Sequence, residues 1–572
     1  MDTNARYQEW MKMFSQDEKT MAELRAMQGD EKEIASRFGA ELTFGTAGMR
    51  GVIGAGTNRM NAYAVRRATL GLADLIATTE GGAARGVTIA YDSRRFSKEF
   101  ALEAALTLCS RGIRALLFDS LQPVPILSFA LRHLGAVAGI VITASHNPPE
   151  YNGYKVYWED GGQMPPDRAD EVYANMGAHG YADAQPMKEE KALEQGLLTY
   201  IGEEVIAAYM RRLQGISVRP ELARAMGEKL KIVYSPLNGS GNLPVRDILD
   251  RIGMRRVSVV AQQELPDPSF ETVGTPNPEN MEVYRLAREM AVQQNADLVF
   301  ATDPDCDRLG CLVRDDDGNF LVLGGNQIGC LLLDYVLRGK KDEGALPGNG
   351  AVVKSIVSTQ MANVIAASYG VKTYDVLTGF KFIAEKIQEF EDTGSGTFLF
   401  GFEESYGYLS STFVRDKDAV NASMLLAEAA AYHSDAGRTL YQALQALYQE
   451  HGFFVEKTVP FDVPGLDGLE RMSRLMKTLR GNPPGEIAGR AVVRVRDYLS
   501  GVIRGADGET ETGMSSSDVL YYELEDGAWL CVRPSGTEPK IKLYVGTSAA
   551  SMEEADAAAA ELGRAGVALI EE

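Results

Sequence analysis

Residues 138–155 read AGIVITASHNPPEYNGYK, and the fold turns on this stretch. Its first five residues are apolar without interruption, as in a strand buried on both faces, and the chain then becomes abruptly polar. Ser145, His146 and Asn147 follow at once, and Lys155 comes ten residues after the serine. The same design returns in KIVYSPLNGSG (231–241), ADLVFATDPDCDR (296–308) and GTFLFGFEESYG (396–407). Helical patterns lie between, among them KEFALEAALTLCSRG (98–112) and MEVYRLAREMAVQQ (281–294). Buried strands alternating with amphipathic helices predict α/β domains with parallel or mixed sheets. In such sheets ligands sit beyond the carboxyl ends of the strands, where these polar loops fall.

The texture changes after HGFFVEKTVPFDVPG (451–465). A helix (LERMSRLMKTLR), a strand-like AVVRVRDYL and the segment DGAWLCVRPSGTEPKIKLYVGTS precede a helical end, SMEEADAAAAELGRAGVALIEE. That pattern predicts a smaller α+β domain with one prominent loop between two strands. A chain of 572 residues is too long for one core and predicts three to five domains. The division expected is 1–215, 216–322, 323–455 and 456–572.

Hydrophobic residues make up 45% and charged residues 24%, the profile of a soluble globular protein, and no apolar run is long enough to cross a bilayer. The opening MDTNARYQEWMKMF lacks the apolar core of a signal peptide, and Trp10, Met11, Met13 and Phe14 suggest an amphipathic helix. A cytosolic protein is expected. The five cysteines have neither metal-finger nor disulfide spacing and read as buried thiols. A net charge of −21 argues against nucleic acid as the main partner, yet a local cluster of cations can still bind a small phosphorylated ligand. Oligomeric state is not legible.

Four loops carry chemistry. Ser145 at a strand end, beside His146 and ten residues before Lys155, suits a nucleophile with basic groups nearby, although Asn, Pro and Gly also make ordinary turns. No G-x-S-x-G elbow is present. Asp303, Asp305 and Asp307 alternate in a tight loop and repel one another unless a cation lies among them; hard oxygen ligands on so short a loop suit Mg²⁺. The neighbouring Asp315-Asp316-Asp317-Gly318 reads instead as a hairpin turn. In Gly401–Gly407, Glu403, Glu404 and Ser405 can accept hydrogen bonds from sugar hydroxyls, or form a plain polar loop. Arg415-Asp416-Lys417-Asp418 follows and could be a self-satisfied charge cluster. The last loop, Arg533-Pro534-Ser535-Gly536-Thr537-Glu538-Pro539-Lys540, has the arginine, hydroxyls and glycine of a phosphate cradle without the nucleotide-binding P-loop pattern. Near the start, FGTAGMRG (44–51) lacks dinucleotide-fold spacing, and its Arg50 could reach a phosphate or serve as a surface cation.

Taken in order, FGTAGMRG, TASHNPPEYNGYK, DPDCDR, GFEESYG and RPSGTEP closely resemble the α-D-phosphohexomutase superfamily of phosphoglucomutases and phosphomannomutases, across residues 44–539. The resemblance implies three related α/β domains and a smaller C-terminal α+β domain around a central cleft. It implies that Ser145 is the phosphoserine and, with Asp303, Asp305 and Asp307, a metal ligand. Arg50, His146, Lys155 and Lys417 fall where the family places residues that assist phosphoryl or proton transfer. Glu403 and Ser405 match its sugar-recognition loop, Thr378, Gly379 and Lys381 a further substrate-contacting turn, and Arg533, Ser535, Gly536 and Thr537 its phosphate-binding loop. The cofactors implied are Mg²⁺ and glucose 1,6-bisphosphate, as intermediate and activator, and the partner implied is a small phosphosugar. GFEESYG followed by RDKDA looks like the glucose-type enzymes, whereas FGTAGMRG resembles a branch with phosphopentomutase-active and glucose 1,6-bisphosphate-forming members. Phosphomannomutase and phosphopentomutase are thus the nearest alternatives; a phosphosugar-binding protein without turnover and a phosphatase are the readings from other classes.

Overall fold

The computed structural model describes residues 2–45, 48–463, 468–535 and 540–571. They gather into two compact units: Met1–Gly324 with Ala384–Asp392 and Tyr406–Gly437, and Gly325–Ile383 with Thr393–Ser405 and Arg438–Glu572.

The first unit holds two mixed sheets of one design. In the first sheet the strands run Met49–Val52, Tyr151–Trp158, Ala138–Ile142, Val87–Tyr91, Ala115–Phe118 and Leu198–Ile201. The last four are parallel, and Ala138–Ile142 then returns antiparallel through Tyr151–Trp158. The second sheet is ordered Phe320–Leu323, Leu309–Arg314, Leu298–Thr302, Lys231–Ser235 and Arg256–Val259. Its last three strands are parallel, and Leu298–Thr302 likewise returns antiparallel through Leu309–Arg314. Both outgoing strands, Ala138–Ile142 and Leu298–Thr302, are buried along their whole length, as the apolar runs AGIVI and LVFA require, and the buried Thr302 hydroxyl meets Tyr234 OH at 2.8 Å. Ile89, Ile140 and Ile142 pack against helix residues such as Leu72, Leu75 and Leu108 in one core, and Val299 and Ala301 against Ala287 and Ala291 in the other. Each large apolar side chain so buried contributes about 1.5–3 kcal/mol.

Three helices, Thr3–Met13, Glu18–Ala26 and Glu31–Phe38, precede the first sheet around Trp10, Leu24 and Phe38. The side chains of Asp17 and Asp30 cap the second and third by accepting backbone amides. Trp10 and Phe14 are buried as the amphipathic pattern predicts, whereas Met13 is left 37% exposed. All five cysteines are free and buried. Asp315–Gly318 is the expected turn: Asp315 N donates to Asn319 O between two antiparallel strands.

The second unit holds a parallel set, Lys372–Val376, Gly350–Ser355 and Thr397–Glu403, with Gly350–Ser355 in the middle. It also holds an antiparallel sheet running Phe453–Asp462, Lys540–Ala549, Trp529–Pro534, Leu520–Leu524, Arg490–Asp497, Val502–Gly505 and Gly508–Glu511. The closing helix Met552–Glu571 buries Ala559 and Leu562 against Leu530 and Leu543 of that sheet. A smaller cluster of Ile356, Val357 and Leu377 with Tyr521, Trp529 and Tyr544 joins the two sheets of this unit. Among the described residues no helix is long and apolar enough to cross a membrane.

Candidate active site

The two mixed sheets place the serine loop and the aspartate loop at equivalent points, each where a buried parallel strand turns into its antiparallel return. Ser145 follows the strand Ala138–Ile142 and adopts φ 52°; in the aspartate loop Cys306 adopts φ 51°. Left-handed backbone at a non-glycine residue is strained and persists only where the surroundings impose it. At Ser145 the imposition is visible. Thr143 N donates to Gly153 O, and Ser145 N donates to Thr143 Oγ1 at 2.8 Å.

Around that turn lies a residue that sequence reasoning does not find. Arg94, fully buried, donates from Nη2 to the carbonyls of Ser145 (2.6 Å) and Asn147, and from Nη1 to those of Pro148 (2.8 Å) and Tyr151 (3.1 Å). Its Nε lies 3.5 Å from the equally buried Asp92, which also accepts from Ser97 Oγ. In the sequence it stands in YDSRR, just past a strand, where a pair of arginines reads as surface charge; the carbonyls it serves lie more than fifty residues away. Arg94→Ala should cost about 3–5 kcal/mol of stability, because Asp92 is left buried and unpaired. Arg94→Lys should restore most of that stability but not turnover, since an ammonium cannot bridge four carbonyls. Urea denaturation alongside steady-state kinetics would measure both, and an unchanged unfolding midpoint in Arg94→Ala would refute the assignment.

Ser145 Oγ is 3.1 Å from His146 Nδ1 and donates to Asp303 Oδ2 at 2.9 Å. Asp303, Asp305 and Asp307 are all buried and can each offer an oxygen to one point, those atoms lying within 4.8 Å of one another. Two lysines balance the charge. Lys155 Nζ donates to Asp305 Oδ2 at 2.8 Å, and Lys417 Nζ lies 3.0 Å from both Asp307 Oδ2 and Asp416 Oδ1. Asp416 in turn accepts from Tyr157 OH (2.8 Å) and Gln163 Nε2 (3.0 Å), so Lys417 is held from behind by a filled network. The charge cluster Arg415–Asp418 is therefore buried rather than a solvated surface group. A Cβ on Gly407 would come within 2.2 Å of Lys417 Cδ, so only glycine there leaves the lysine its path. Arg50 joins the centre from the strand Met49–Val52, donating to Asn147 Oδ1 at 2.6 Å.

The electrostatics follow from burial among like charges. Burial, with Asp305 and Asp307 close by, pushes Asp303 well above the usual carboxylate range. Burial also opposes ionisation of Asp305, but Lys155, the Asp303 hydrogen bond and Lys417 outweigh it and hold its pKa low. Burial, reinforced by Arg308 and Arg50, pushes His146 well below its ordinary value, so the imidazole is neutral at neutral pH. Among the described residues Asp305 Oδ1 and Asp307 Oδ1 are buried without a hydrogen-bond partner, an arrangement that a divalent cation of hard-oxygen preference would satisfy.

In the second unit Glu403 Oε1 accepts the amide of Gly379 at 2.6 Å, which ties the loop Gly401–Gly407 to the turn of Thr378, Gly379 and Lys381. Glu404, read as a second sugar acceptor, is already engaged by Ser355 Oγ (2.9 Å) and Ser358 Oγ (3.4 Å). Ser405 is half-buried at the end of this loop. Arg533 lies near the end of the strand Trp529–Pro534, and Ser535 N donates to Lys540 O at the base of the following loop. Burial raises the pKa of Tyr544, with Glu404 adding to the rise and Arg533 opposing it. Gly536 and Thr537 lie outside the described residues.

Sequence models of the phosphoglucomutase/phosphomannomutase family match this chain in order: alpha/beta/alpha domain I at residues 41–182, domain II at 207–318, domain III at 324–451 and the C-terminal domain at 484–562. A phosphoglucomutase of Staphylococcus haemolyticus (strain JCSC1435) is 37% identical over 523 residues, covering 90% of this chain and 92% of that protein. One from Staphylococcus aureus (strain N315) is 36% identical, covering 91% and 92%. Among solved structures, the open form of pp63/parafusin, a phosphoglucomutase from Paramecium, superposes with a TM-score of 0.68 at 16% identity over 93% of this chain and 96% of that one. A phosphoglucomutase/phosphomannomutase family protein from Burkholderia thailandensis gives 0.65 at 19% over 92% and 97%. At these identities the superpositions speak for the fold alone.

Proposed function

Because this chain belongs to the phosphoglucomutase/phosphomannomutase family, with its four-domain architecture, we propose that it is a phosphoglucomutase that interconverts glucose 1-phosphate and glucose 6-phosphate through a phosphorylated Ser145. The observation that carries the reading is the buried cluster at Ser145, whose Oγ meets Asp303 and a neutral His146 while Lys155 and Lys417 pair with the adjoining Asp305 and Asp307. A protein that only bound phosphosugars would have no use for a buried hydroxyl beside such a cluster. The domain division that goes with this reading falls at about residues 215, 322 and 455.

Phosphoryl transfer asks chiefly for positioning and charge neutralisation. The 6-hydroxyl oxygen of glucose 1-phosphate attacks phosphorus as the Ser145 Oγ–P bond breaks, and glucose 1,6-bisphosphate results. The hydroxyl proton passes to one of the bases at the centre: Lys155, Lys417 or His146. The intermediate turns end for end, and its 1-phosphoryl group returns to Ser145 Oγ, leaving glucose 6-phosphate. Asp303, Asp305 and Asp307, with the phosphate on Ser145, are the ligands proposed for Mg²⁺, which when bound supplies Lewis-acid polarisation of the transferring group. Arg50 supplies a further cation to that group, and Arg533, Ser535, Gly536 and Thr537 hold the phosphate not being transferred.

Glu403, Ser405, Thr378, Gly379 and Lys381 are assigned to the sugar and its approach. Glu403→Ala should lower kcat/KM for every hexose phosphate by about ten- to a hundredfold, from the removal of one charge-assisted hydrogen bond and a loosened Gly379 turn. Progress curves with each substrate would measure it, and unchanged hexose kinetics would remove Glu403 from the site.

The reading as a whole is tested by assaying the purified protein with glucose 1-phosphate, mannose 1-phosphate and ribose 1-phosphate, each with catalytic glucose 1,6-bisphosphate. Glucose 1-phosphate should give the highest kcat/KM. A higher value for mannose 1-phosphate or ribose 1-phosphate would reassign the sugar, and release of inorganic phosphate without isomerisation would reassign the reaction.

A further inference from the structure

Away from the serine centre, the first unit carries a groove of about 600 Å³ between the last turns of two helices, Val124–Leu134 and Glu203–Gln214. Arg132 and His133 line it from the first helix, Arg211 and Arg212 from the second. Among the described residues that line it only Glu391 is acidic, and it is ion-paired with Arg132 at 3.6 Å and with the buried Arg415. Cations in a last helical turn are ordinary where they answer the helix carbonyls. Here both residues are exposed, and among the described residues neither the Arg211 nor the Arg212 guanidinium has a hydrogen bond or an ion pair; Arg212 lies over the Phe413 ring at 5.4 Å. In a chain with 79 acidic against 58 basic residues, two adjacent arginines without a carboxylate, facing a third and a histidine across one groove, form a local positive field in an otherwise negative protein.

We propose that this groove is a second anion site, and that it takes a polyphosphate, an anion with two or more phosphate groups. Guanidinium pairs match phosphate oxygens, and several guanidinia with one neutralised carboxylate suit a multiply charged ligand better than a single carboxylate or sulfate. The groove is also tied to the reacting centre. Val124, at the start of the helix that ends in Arg132 and His133, donates its amide to Asp305 O at 2.9 Å. Ser128, buried on the same helix, accepts the amide of Arg415 at its Oγ at 2.8 Å, two residues before Lys417.

The test is calorimetric titration of the full chain with pyrophosphate, free of divalent cations and at about 0.15 M ionic strength, where exposed charges are screened beyond roughly 8 Å. Wild type is compared with Arg211→Ala/Arg212→Ala, which leaves the proposed catalytic residues untouched. The wild type should bind, and the double variant should bind at least about tenfold more weakly or show one binding event fewer, as removal of charge-assisted hydrogen bonds implies. A parallel titration with ATP identifies the source: tighter binding than pyrophosphate points to a nucleotide, equal binding to a free polyphosphate. Absence of pyrophosphate binding in the wild type, or undiminished binding in the variant, overturns the proposal. If the double variant fails to fold, Arg211→Ala alone decides the comparison, because among the described residues that guanidinium holds no hydrogen bond or ion pair.

Discussion

Replacing Ser145 by alanine is expected to lower turnover of glucose 1-phosphate by a factor on the order of 10⁴–10⁶, the scale seen when a covalent nucleophile is removed. The fold should barely notice. Alanine carries the same Cβ as serine through the left-handed turn at φ 52°, and the hydrogen bond that disappears with Oγ is chiefly the one donated to Asp303. A stability change of about 1 kcal/mol or less is expected for it, because burial and the neighbouring carboxylates favour protonation of the freed carboxyl. The comparison therefore separates chemistry from folding. Peptide mass spectrometry after incubation with glucose 1,6-bisphosphate should find a phosphate on Ser145 in the wild type and none on that peptide in the variant. Normal turnover by Ser145→Ala would sink the phosphoserine assignment outright.

The second large effect concerns the aspartates. Chelation of divalent cations should reduce kcat by about 10³-fold, equivalent to roughly 4 kcal/mol of stabilisation of the transferring phosphoryl group. Added Mg²⁺ should restore it. Asp305→Asn, which keeps the shape but not the charge, should show the same decrease without restoration, because Lys155 then faces a neutral amide at the centre of the site. The pH dependence has a definite sign. Burial and its two neighbours raise the Asp303 pKa, so protons compete with a cation for this carboxylate at higher pH than for an ordinary one. Mg²⁺ affinity should accordingly increase with pH until Asp303 is ionised in the metal-free protein too. Calorimetric titration at several pH values would measure it, and full activity in chelator would exclude the metal loop from catalysis.

The loops were legible in the sequence because each follows an apolar run that has to be a buried strand, and because unlike chemical groups crowd into so few residues there. Asp303, Asp305 and Asp307 could be read from mutual repulsion alone. Arg94 could not, since nothing local distinguishes it from Arg95; its partners are carbonyls, which every residue has, so only the folded chain identifies it. Glu403 and Glu404 looked alike in GFEESYG and are not: one clasps Gly379, the other two serines. The relation between the first two sheets was half legible. Alternating strands and helices pointed to α/β domains, but the antiparallel return strand after each reactive loop is a matter of pairing partners, which no periodicity reports.

The serine loop and the aspartate loop come from different sheets, yet they are fastened by Ser145 to Asp303, Lys155 to Asp305, Val124 to the Asp305 carbonyl and the Arg94 guanidinium over the Phe270 ring. The proposed donor and the proposed metal ligands are accordingly tied together by these contacts. A catalytic cycle in which the intermediate has to turn over cannot gain room by parting these two loops without breaking buried charge pairs. The loosening that lets the sugar turn has to come from parts of the chain that are not in this clasp. Amide hydrogen exchange during turnover should therefore leave residues 143–155 and 303–308 protected throughout, however mobile the rest becomes.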